Sequence, residues 1–194
     1  MTGTAIRWSG LPLIAGGIFL GAAIVLISLS PVANQAFSPV VSYLFLLAAV
    51  LLLLSLPGMY AQQANAAGWL GLAGYALLQV GIVLFIMLAT TPLVYPSVKG
   101  PIPENAPMFF LAIALTFGLL LTGIATLRAA VFPRWAGILL LAATASFFFG
   151  FFISEYLPPR GQQLGAAFSG ILLALPLAWV GLSLWTRRLR DGRL

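Results

Sequence analysis

The chain has 194 residues, of which 62% are hydrophobic and 6% charged, and its mean hydropathy is +1.11. A soluble domain carries about 25% charged and about 45–50% apolar residues, so this composition excludes a water-soluble core and requires lipid as solvent for the excess. The formal charge of +6 comes from nine basic residues spread over separate connections; they form no basic stripe for nucleic acid and act as topology signals.

Crossing the hydrocarbon takes about 20 helical residues, and six apolar segments meet or approach that length. They predict an all-α polytopic transmembrane bundle, one integral membrane domain over 1–194, with helices at about 11–29, 40–56, 69–88, 108–127, 135–153 and 164–185. The runs are continuously apolar, whereas barrel strands alternate apolar and polar residues.

Arg7, the first apolar run and Ala33-Asn34-Gln35-Ala36 together resemble a secretory leader. The run is long for a leader core, so a retained helix is expected. The second segment is bounded by Pro39 and by Pro57-Gly58, which read as breaks. The third holds Gln79 at its middle, on a face with Gly71 and Tyr75 by four-residue spacing. A polar side chain at that depth should face other helices, with Thr116, Thr144 and Ser146 as partners to meet it. The structural reading is an interhelical hydrogen bond worth about 0.6 kcal/mol, and the functional one is a polar group in a ligand cavity.

The connection 89–107 contains Pro92, Pro96, Pro101, Pro103 and Pro107, which forbid helix and strand but stiffen the chain. It reads as a well-set external connection, or as a lid or docking surface. The stretch 127–137 packs Arg128, Pro133, Arg134 and Trp135 into a connection too short to leave a membrane. In the fifth segment Phe147-Phe148-Phe149-Gly150-Phe151-Phe152 is the densest aromatic run. It suits lipid contact and packing, or a stacking surface for a quinone, carotenoid or other pigment. Pro176 lies midway along the sixth segment and should kink it.

The connections decide orientation. One set carries Arg7, Arg128, Arg134, Arg187, Arg188, Arg190 and Arg193, and the other only Lys99 and Arg160. The excess of arginine on one side predicts both termini in the cytoplasm, with Arg7, Arg128, Arg134, Arg187, Arg188 and Arg190 as lipid-headgroup and topology anchors. Trp8-Ser9-Gly10, Trp69-Leu70-Gly71 and Trp135-Ala136-Gly137 each open a segment leaving that side. They suggest a threefold repeat of helical hairpins, or simply tryptophan's preference for the membrane interface. Small residues recur at four-residue spacing: Gly17 and Gly21; Ala114 and Gly118; Ala142, Ser146 and Gly150; Ala166, Gly170, Ala174 and Ala178. Such stripes let helix backbones approach closely.

The chain has no Cys and no His, and its only acidic residues are Glu104, Glu155 and Asp191. This removes thiol nucleophiles, Cys- or His-ligated metal or haem, and the usual general base. No P-loop, dinucleotide fingerprint or nucleophile elbow occurs. One Lys against eight Arg suggests a GC-rich bacterial genome.

The stretch 123–137, with Arg128, Pro133, Arg134 and Gly137, resembles the middle of small multi-helix bacterial membrane proteins grouped as domains of unknown function. The resemblance covers about 30 residues and implies a plasma-membrane bundle. It brings no catalytic residues with it. The expectation is a non-catalytic, multi-pass protein of the bacterial plasma membrane. It would act among membrane lipids and other membrane subunits as an accessory or structural component, in contact with a hydrophobic cofactor (quinone, carotenoid or other pigment). The candidate contacts are Gln79, Tyr75, Phe148, Phe149 and Phe152. The alternative is a transporter or channel for a small neutral or hydrophobic solute.

Overall fold

The computed structural model describes residues 8–29, 39–94, 107–149, 156 and 158–190, and among these it is all-helical. The five helices are α1 (Gly10–Leu29), α2 (Pro39–Val94), α3 (Pro107–Ala129), α4 (Arg134–Phe148) and α5 (Pro159–Arg190). Four stretches, Gly10–Ser28, Pro39–Thr91, Phe109–Ala129 and Arg160–Thr186, are long and apolar enough to cross a membrane, and α4 is a shorter apolar helix.

The second and third expected helices are joined in α2, whose one non-helical residue is Gly68 (φ 58°, ψ −149°). The expected break at Pro57-Gly58 is helical, because the run from Met59 to Ala67 is rich in Ala and Gln, which sustain a helix. At Gly68 the chain folds back. Phe45 and Phe85 meet edge to face with centroids 5.1 Å apart, although a straight helix would hold them about 60 Å apart. Tyr60 and Tyr75 stack at 4.9 Å nearer the turn. The arms 39–67 and 69–94 are therefore antiparallel.

α4 runs from Arg134 to Phe148, with a wider turn at Phe149, and the expected end at 153 lies outside the described residues. α5 starts at Pro159 and reaches Arg190, beyond the expected 164–185 at both ends. Proline suits a first helical position, where its missing N–H costs nothing. Pro176 is fully buried within α5, and the helix continues through it.

Neighbouring helices close a ring: α1 against α2, α2 against α3, α3 against α4, α4 against α5, and α5 back against α1. Gly16 of α1 packs on Ala48 and Leu52 of the first arm, and Gly74 and Gly81 of the second arm pack on Thr122 and Leu115 of α3. The small-residue stripes of the first and last helices meet each other, Gly17 against Ala174 and Leu177, and Gly21 against Gly170 and Ala174. Gly118 likewise seats Leu78. The stripe at Ala142 and Ser146 is only half-buried; α4 buries Ala136, Gly137, Leu140, Ala143 and Thr144 instead. Every helix contributes to one apolar core, from Leu13 of α1 through Leu52, Ile82, Leu119 and Leu140 to Val180 of α5.

Trp8 touches Trp185 (5.8 Å), so the start of α1 and the end of α5 share one end of the bundle. The Gly68 turn and the α3–α4 connection lie there too, since Gly71 approaches Ala125 and Gly137 packs on Leu127. Trp8, Trp69 and Trp135 are all exposed, while Gly10, Gly71 and Gly137, two residues on, are all buried. The three Trp-x-Gly positions thus share one burial pattern. Phe132 drives the α3–α4 connection into the core at 3% exposure. Ala130, at the end of α3, has φ 49°, a left-handed conformation that costs an L-residue about 1–2 kcal/mol. Ala130→Gly should therefore stabilise the protein by about 0.5–1 kcal/mol, read as a higher unfolding midpoint in a detergent titration.

Candidate functional site

Among the described residues, a buried polar cluster lies at the tryptophan-bearing end, between the α2 hairpin and α3. Gly71 and Gly74 set its geometry. A Cβ on Gly74 would stand 2.8 Å from the Thr122 backbone nitrogen, so only glycine lets the second arm come this close. Thr122 and Thr126 are one turn apart on α3 and point to the same side. Thr126 is 1% and Gln63 3% exposed. Gln63 Nε2 donates to Thr126 Oγ1 (3.2 Å), and Thr126 Oγ1 donates to the Thr122 carbonyl oxygen (2.7 Å).

Beside this pair is a cleft lined by Leu56, Met59, Tyr60, Gln63, Gly71, Tyr75, Leu78 and Thr122. Its volume is about 10 Å³, enough for about one water-sized oxygen. The stacked Tyr60 and Tyr75 rings, inclined at 22°, form part of its wall. Thr122 Oγ1 is buried without a hydrogen-bond partner, as are Gln62 Oε1, Thr116 Oγ1 and Ser42 Oγ. Thr122 lies six positions before Arg128, which puts the cleft about 9 Å below that exposed side chain. The site can hold and orient a small polar group.

The sequence singled out Tyr75, and the structure brings it into this cleft. Gln79 lies one turn further along, half-buried, with no side-chain hydrogen bond to any described residue. Its expected partners are engaged elsewhere or unpaired: Thr144 Oγ1 donates to the Leu140 carbonyl oxygen (2.8 Å), and Thr116 has no partner. The interhelical polar contact expected of Gln79 is made by Gln63, which the sequence placed in a connection. Phe148 and Phe149 are exposed at the far end of α4, and Phe152 lies outside the described residues. Arg128 and Arg134 are exposed at the tryptophan-bearing end. Arg187, Arg188 and Arg190 fall on the last turn of α5, and Arg7 lies outside the described residues, as do Lys99, Glu104 and Glu155.

A double-mutant cycle on Gln63→Leu and Thr126→Val should give a coupling of about 0.6 kcal/mol. The double variant should be less destabilised than the sum of the single ones, because removing both partners leaves no orphan. Compared with protein families, curated proteins and solved structures, the chain matches none.

Proposed function

We propose that the chain crosses a bacterial plasma membrane six times, with both termini and the Gly68 turn in the cytoplasm. It serves there as a non-catalytic accessory or structural subunit of a larger membrane assembly. The observation that carries this reading is the filled interior: the space enclosed by the ring of helices is occupied by close-packed apolar side chains from every helix. Among the described residues the centre of the bundle is mainly apolar, which supports a scaffold over the transporter alternative. The arms of α2, each longer than about 20 residues, account for two crossings. The arginine excess at the tryptophan-bearing end supports the orientation.

The exposed face of α5, with Phe168, Ile171, Leu175, Trp179 and Leu182, suits lipid or a neighbouring subunit. The exposed Phe148 and Phe149 rings suit a hydrophobic cofactor such as a quinone or carotenoid.

The native absence of cysteine makes topology directly measurable. In intact cells a membrane-impermeant thiol reagent should label Gln162→Cys and leave Ala66→Cys unlabelled; the reverse pattern overturns the orientation. Purification in mild detergent should bring down stoichiometric membrane partners. A homogeneous lone protein, without partner or absorbing ligand, overturns the subunit reading.

A further inference from the structure

We infer that the cleft between the α2 hairpin and α3 binds the hydroxyl group of a membrane amphiphile through Thr122 and Gln63. The inference shares with the proposed function only the membrane placement and stands without any protein partner.

Hydrogen-bond accounting selects the group. A threonine hydroxyl has one proton. Thr126 Oγ1 lies 2.7 Å from the Thr122 carbonyl oxygen and 3.4 Å from Gln63 Oε1, so its proton goes to the nearer oxygen. Its lone pair then takes the Gln63 amide proton at 3.2 Å. Gln63 Oε1 then keeps only its long 3.4 Å contact to Thr126 Oγ1, and Thr122 Oγ1, 7% exposed as a residue, has no partner. Both side chains line the cleft. A buried polar atom left in this state is costly, and one O–H group meets both needs. It accepts from the Thr122 hydroxyl and donates to Gln63 Oε1. A ketone or ester carbonyl accepts only and leaves the glutamine unserved.

Water is the competing occupant, since a buried water makes about two to four hydrogen bonds, and the apolar wall is what favours an alcohol. The third substituent of an alcohol oxygen is carbon. The cleft is partly open, and Leu56, Met59 and Leu78 with the tyrosine pair give its wall the apolar surface that a carbon chain requires.

The test uses the full chain in phosphatidylcholine nanodiscs, with the Gln63 side-chain amide resonance as readout and its assignment taken from Gln63→Met. Titration with 1-decanol should shift that resonance saturably. Decyl methyl ether, which has no O–H, should not. Thr122→Val should weaken the decanol response about tenfold, the loss of one hydrogen bond, and Thr122→Ser should restore it. Equal binding of the ether, or no saturable response to decanol in the native protein, overturns the inference. So does a fixed water cross-peak at Gln63 that decanol does not displace. The native-protein titrations decide the matter even if Thr122→Val fails to fold.

Discussion

Gly181→Ala should cost about 1–3 kcal/mol, and Gly181→Leu should leave no folded protein in mild detergent. At Gly181 an added Cβ would stand 2.7 Å from the Gly10 carbonyl oxygen and 2.9 Å from the Ile14 nitrogen. Both are backbone atoms of α1, so no side chain can rotate away and a whole helix must move. A Cβ added at Gly10 would likewise stand 2.7 Å from the Gly181 carbonyl oxygen. The α1–α5 contact closes the ring of helices, and in lipid its strength comes from dispersion between closely apposed backbones, with no hydrophobic term to compensate a gap. Gly165 is the internal control. It belongs to the same helix but has open space around its Cβ position, so Gly165→Ala should be neutral or gain up to about 1 kcal/mol from helix propensity. Unfolding midpoints in a detergent titration separate the two. Equal effects at positions 165 and 181 would show that the α1–α5 seam is looser than these distances imply.

The α1–α5 seam was partly legible in the sequence, though neither Gly165 nor Gly181 stood in its stripes. The four-residue stripes at Gly17 and Gly21 and at Gly170 and Ala174 named both sides of the seam, and the structure joins them. Composition alone identified apolar helices without strands. Rotation about a helix axis was harder to read. In α4 the buried face is Leu140, Ala143 and Thr144, one step away from the Ala142 and Ser146 stripe, because small residues are so frequent that several faces carry the spacing. The interhelical hydrogen bond expected of Gln79 is made by Gln63 for a related reason. Depth along the third segment favoured Gln79. Which glutamine faces α3 depends on where the hairpin turns, and Pro57, Gly58 and Gly68 all offered a break. Propensity could not choose among them, since proline and glycine both interrupt helices. A positive φ at Gly68 made the choice, and it carried Gln63 into the helix beside Thr126.

That turn is the second position where one substitution should act on the whole bundle. Gly68 sits at φ 58°, ψ −149°, the mirror image of the polyproline II region, which L-residues avoid and glycine enters freely. No atom lies within 4 Å of its Cβ position, so the cost of Gly68→Ala is a backbone cost alone, about 1–3 kcal/mol. The chain can avoid that cost by keeping residue 68 helical, and the hairpin then opens. Opening separates Tyr60 from Tyr75 and Phe45 from Phe85 and takes Gln63 away from Thr126. D-alanine at position 68, introduced by ligation, should restore native stability, because its preferred conformation is the one the turn uses. A cross-link by a short bifunctional thiol reagent between Phe45→Cys and Phe85→Cys, in a chain with no other thiol, reports the closed hairpin. It should form readily with Gly68 or D-alanine and be depleted with L-alanine. Efficient cross-linking and unchanged stability in the L-alanine protein would mean that the turn does not depend on the left-handed conformation.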